Sequence, residues 1–91
     1  MRIRAPQFPR GPGISERVRW VIAEETGAPL DELRRATRLA DDLGLDSLDV
    51  LGAKLGVEDE FGIDIPDAEV EALTTVGAWE DYVAARMREV A

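Results

Sequence analysis

Asp41-Asp42-Leu43-Gly44-Leu45-Asp46-Ser47-Leu48-Asp49, residues 41–49, reads as a turn delivering the chain into a helix. Gly44 suits the turn, and Asp46 is a good N-cap, with Asp49 three residues on in the first turn. The spacing predicts a helix from about Ser47 to just before Gly62. At 100° per residue, Val50, Ala53, Val57 and Phe61 fall on one apolar stripe, the expected core face. Leu48, Leu51 and Leu55 cluster elsewhere on the surface, near Glu58 and Asp59. A helix with two apolar faces is buried on both sides or offers one of them to a partner. Gly52 and Gly56 interrupt it, each costing roughly 1 kcal/mol relative to Ala.

Upstream, Ile14, Val18, Val21 and Ile22 recur at the spacing of one buried helical stripe. That helix should run from Ile14 or Ser15 to Thr26, with Ser15 as its cap and Gly27 and Pro29 as its end. Trp20 lies off the stripe and is expected to be partly exposed. Residues 28–46 are a long connection whose Leu30, Leu33, Leu39, Leu43 and Leu45 should pack over the helices, with a short helical turn at Asp31–Arg35. Downstream, Pro66 fits the first turn of a short helix over Pro66–Leu73. Thr74 or Thr75 should cap a last helix over Val76–Val90, with Val76, Trp79 and Val83 inward and Tyr82 and Met87 beside them. No useful strand alternation appears, so the fold class is all-α with four helices, one long loop and a short third helix.

Met1–Gly13, with Pro6, Pro9 and Pro12, is expected to be a disordered Pro/Arg-rich tail, leaving 14–91 as one domain. The whole chain carries −8, and subtracting Arg2, Arg4 and Arg10 leaves −11 on the remainder. From Asp41 through Glu71 there are eleven carboxylates and one base, Lys54. Such a surface disfavours nucleic acid and favours basic partner proteins. No apolar run approaches the ~20 residues a membrane helix needs, and no secretory signal is visible, so a cytoplasmic location and no membrane partner are expected. There is no cysteine and no histidine. That excludes Ser–His–Asp and Cys–His catalysis, disulfides and most zinc sites. The aspartates lack the spacing of a calcium loop. No catalytic residue and no metal ligand is assigned.

Ser47 is the candidate site residue. At a helix start it has free backbone N–H groups and the positive end of the macrodipole beside it, a favourable place for a phosphate ester. Ordinary capping chemistry explains the same residues, and most serines so placed do nothing else.

Asp42-Leu43-Gly44-Leu45-Asp46-Ser47-Leu48-Asp49 resembles the D-x-L-G-x-D-S-L-D signature of acyl carrier proteins. Ile14–Val18, Glu58–Pro66 and Leu73–Val76 are similar, in order, to that family's first helix, second-helix end and last-helix entry. The likeness spans about Ile14–Val83. It implies a four-helix bundle of acyl-carrier type and a monomeric, non-catalytic carrier, with a length that suggests a free-standing one. It also implies that Ser47, flanked by Asp46 and Leu48, receives covalent 4'-phosphopantetheine from coenzyme A through a phosphopantetheinyl transferase. Acyl groups would ride as thioesters on that arm in fatty-acid or polyketide-type biosynthesis. By the same resemblance, Asp46, Leu48, Asp49, Leu55, Glu58 and Asp59 match positions that meet basic enzyme surfaces. Val57, Phe61, Ile65 and Val70 are candidate lining of the family's acyl-chain channel, with plain core as the simpler reading of all four. Gly52, Lys54 and Gly56 depart from the fatty-acid pattern and point to a specialised pathway, while Asp46 before the serine fits acyl rather than peptidyl carriers. The competing reading is an unmodified acidic helical adaptor that acts by protein binding alone.

Overall fold

The computed structural model describes residues 13–90; most of the expected tail lies outside the described residues. Four helices form: α1 (Ile14–Thr26), α2 (Ser47–Phe61), α3 (Asp67–Val70) and α4 (Val76–Val90). Among the described residues there is no strand, only an antiparallel bridge between Arg38 and Thr75. The all-α class, the long first connection and the short third helix are as the sequence indicates.

Helices α1, α2 and α4 bury their stripes against one another. Val18, Val21 and Ile22 from α1 meet Ala53, Val57 and Phe61 from α2 and Val76, Trp79 and Val83 from α4. Trp79 is fully buried, and its indole N–H donates to the Leu73 carbonyl at 2.9 Å. Val50 is only partly buried, and so is Trp20. Arg17 of α1 lies 2.9 Å from Glu60 and stacks over the Phe61 ring at 4.5 Å.

The ends differ in places from the sequence reading. Gly13, not Ser15, occupies the cap of α1 and gives no side-chain bond, because the helix already includes Ile14 and so places Ser15 inside its first turn. Pro66 stands in the N-cap position of α3 rather than within it. That helix stops at Val70, not Leu73: Ala72 and Leu73 donate to Glu69 and Val70, tighter three-residue turns that carry Leu73 into the core. Thr75 caps α4, accepting from the Ala78 amide at 3.1 Å.

In the long connection the helical turn is a 3-10 turn at Leu30–Glu32. Leu33 and Leu39 are buried, and Leu43 and Leu45 pack partly against the core. Leu30 does not pack as expected and is 49% exposed, since Leu33 takes the inward place one turn later. The segment is tied to the start of α4 by backbone. Val76 and Gly77 donate to the carbonyls of Thr37 and Arg35, and Leu39 donates to Thr74. Two otherwise orphaned N–H groups of α4 are thereby satisfied.

The two glycines of α2 have different surroundings. A Cβ on Gly56 would lie 2.9 Å from Val21 Cγ1 and 2.6 Å from Glu25 Cγ, whereas one on Gly52 would meet only the Glu25 carbonyl at 3.7 Å. Gly56→Ala is therefore expected to lower stability by about 1 kcal/mol net of improved helix propensity. Gly52→Ala is expected to raise it by up to ~1 kcal/mol. Urea midpoints of the two variants check the opposite signs.

Candidate functional site

The turn before α2 is set by Gly44, whose φ of 69° is left-handed and suits a residue without Cβ. Its amide donates to Ala40, and the Leu45 amide to Leu39, so the chain reverses, Leu45 tucks inward and Ser47 emerges outward. Asp46 and Asp49 form the expected capping box. The Asp46 carboxylate accepts from the Asp49 amide at 2.9 Å, and the Asp49 carboxylate accepts from the Asp46 amide at 3.1 Å. Ser47 is thus the first residue of a capped helix, and it is exposed.

Beside it lies a groove of about 610 Å³ between α2, α3 and the long connection. Ser47 and Leu48 stand on its lining, with Val50, Leu51, Lys54, Val70 and Leu73 among the other walls. Of the four residues expected to line a channel, only Val70 does so. Val57, Phe61 and Ile65 are buried in the core and do not line this groove. Leu39, Val50, Leu51 and Leu73 supply its apolar wall instead. Helix periodicity alone does not separate them, because Val50 and Val57 share a stripe and only the position of α3 decides which meets the groove.

Leu48 is 73%, Leu51 44% and Leu55 53% exposed, and the first two also border the groove. Asp46 and Asp59 are exposed with them, and Asp49 is half-buried by its capping role. Glu58 does not join that face: its carboxylate accepts from the Ile65 amide at 2.8 Å and pairs with Lys54 at 3.2 Å. It pins the loop after α2. The sequence reading also missed Glu80, buried on α4 between Arg19 and Arg35, each 3.1 Å away. Nothing local marks it, since both partners come from distant segments.

Several carboxyls are held below the usual range. The Asp49 amide does this for Asp46, the Arg38 guanidinium for Asp42, the Ile65 amide for Glu58 and the Arg35 guanidinium for Asp81, with desolvation opposing in each case. Their ordinary values are 3.8 for aspartate and 4.5 for glutamate. A depressed folded value means that the unfolded chain binds more protons between the two values. The stabilisation is therefore complete above the ordinary values and is lost as pH falls through the folded ones. The thermal midpoint is expected to drop below about pH 4, and Asp42→Asn and Asp46→Asn should each flatten that drop in calorimetry.

Among the described residues no helix is long and apolar enough to cross a membrane, and no group of three or more His, Cys, Asp or Glu is placed to hold a metal ion. A family model described as phosphopantetheine attachment site matches residues 16–83. The chain belongs to that family. The resemblance to acyl carrier proteins is borne out, and with it covalent 4'-phosphopantetheine as the cofactor of this carrier domain. Domains of this kind generally act as non-catalytic carriers that work with a phosphopantetheinyl transferase and with synthase enzymes. The residues around the start of α2 fit such a group: an exposed serine as the first residue of a helix of 15 residues, beside an apolar groove. The arm would supply a terminal thiol for thioester formation.

Proposed function

We propose that this phosphopantetheine carrier is a discrete acyl carrier protein whose arm is esterified to Ser47. It holds acyl intermediates as thioesters for fatty-acid or polyketide-type biosynthesis, on the specialised side of that range. The observation that carries the reading is the placement of Ser47, exposed as the first residue of α2 and on the lining of the groove. Asp46 and Leu48 flank the attachment point. Leu48, Leu51 and Leu55, with Asp46, Asp49 and Asp59 around them, form the docking face for enzymes with basic surfaces. Apolar contact supplies affinity there and charge supplies the rate of encounter. The protein works as a cytoplasmic monomer and performs no catalysis of its own. Gly52 and Lys54, where fatty-acid carriers resembling this chain place Glu and an apolar residue, support a specialised partner set.

The test is incubation with coenzyme A, Mg²⁺ and a broad-specificity phosphopantetheinyl transferase, followed by peptide mass mapping. The added mass is expected on the peptide that contains Ser47. No gain, or a gain on another peptide, overturns the assignment, and the absence of any gain favours an adaptor that binds partners without an arm.

A further inference from the structure

Lys54 is the odd member of the groove. Among the described residues it is the one basic residue on a lining that includes Leu39, Val50, Leu51, Val70 and Leu73, with Asp67 and Glu71 at the α3 side. The side chain is only 15% exposed, and it lies seven residues along α2 from Ser47, roughly 10 Å down the same helix. Its Nζ is 3.2 Å from Glu58 and 3.8 Å from Asp67. Glu58 is fixed by the Ile65 amide, whereas the Asp67 carboxylate is 92% exposed and is held by little else than this long contact. An ammonium has three N–H donors, and its two carboxylate contacts, at 3.2 and 3.8 Å, leave room for a further acceptor from the groove.

We propose that Lys54 makes this groove selective for neutral acyl chains bearing a carbonyl or hydroxyl oxygen; the inference rests on the arm being carried at Ser47. A fully reduced chain would displace water from the ammonium and return no hydrogen bond, which leaves a poorly solvated donor. A chain ending in a carboxylate would meet Asp67 and Glu71 at the α3 wall and Glu58 beside the ammonium, so its charge is opposed by more anions than the one cation offsets. A neutral oxygen avoids both costs. It accepts a charge-assisted bond while its carbon skeleton lies against the leucines and valines.

The experiment loads the full chain with phosphopantetheine arms carrying, through a hydrolysis-resistant amide, chains of equal length that are saturated, 3-oxo or carboxylate-ended. Intact mass first reports whether the arm is on the protein. Groove occupancy is then read from the amide shifts of Val50, Leu51, Val70 and Leu73. The 3-oxo chain is expected to occupy the groove about tenfold more than the saturated one. Lys54→Met should abolish that preference, while Lys54→Arg and Lys54→Gln, which keep a donor, should retain part of it and guard against a folding defect in the first variant. Equal occupancy by the saturated chain, a preference that survives Lys54→Met, or dominance of the carboxylate chain overturns the inference while leaving the carrier assignment intact. Failure of the arm to attach overturns the Ser47 reading itself, and this inference with it.

Discussion

A Ser47→Ala protein is expected to accept no arm at all, yet to unfold within about 0.5 kcal/mol of the natural chain. The two effects separate because function and helix initiation rest on neighbouring residues. The cap is supplied by Asp46 and Asp49, whose reciprocal bonds involve no atom of the serine side chain. Ser47 itself is already within the helix and exposed, where alanine is the better helix former. Asp46→Ala reverses the pattern. It removes the capping bond at a cost of ~1 kcal/mol but retains the hydroxyl. Intact mass after transferase treatment and a urea titration of both variants read the two axes independently. A marked loss of stability in Ser47→Ala would make the serine a structural residue and count against its role as the attachment point.

Trp79→Ala is expected to be the most destabilising single change, by about 3–5 kcal/mol. Trp79 is fully buried at the meeting of α1, α4 and the loop before α4. The loss has two parts, a cavity in the core and an unpaired Leu73 carbonyl. Trp79→Phe separates them by filling most of the space while leaving the carbonyl without its donor, and should cost about 1–3 kcal/mol. Domains of this size have about 5–15 kcal/mol in total, so the alanine variant should be partly unfolded on modest warming, as near-ultraviolet dichroism would report. Because Leu73 also lines the groove, the phenylalanine variant should loosen that wall while keeping the arm's acceptor serine intact.

What the sequence disclosed was whatever local chemistry decides. The start of α2 followed from Asp46, Ser47 and Asp49 within four residues, and the inward face of α4 followed from Val76, Trp79 and Val83. What it hid depends on distant partners. The burial of Glu80 is set by arginines from α1 and from the long connection, one of them 45 residues away in sequence. The groove wall depends on where α3 comes to rest, so Val50 and Val57, equivalent on a helical wheel, part company between groove and core. Glu58 reads in the sequence as one more surface acid, whereas in the fold it accepts the Ile65 amide.

The backbone bonds from Thr37 and Arg35 to the first turn of α4 have a kinetic side. Those first-turn amides gain their protein acceptors only when a segment roughly forty residues earlier arrives, so the last helix and the first connection are expected to consolidate together. The amides of Leu39, Val76 and Gly77 should accordingly exchange with deuterium only through global opening. A protease probing the connection near Arg38 would find a latch where the primary structure advertises slack.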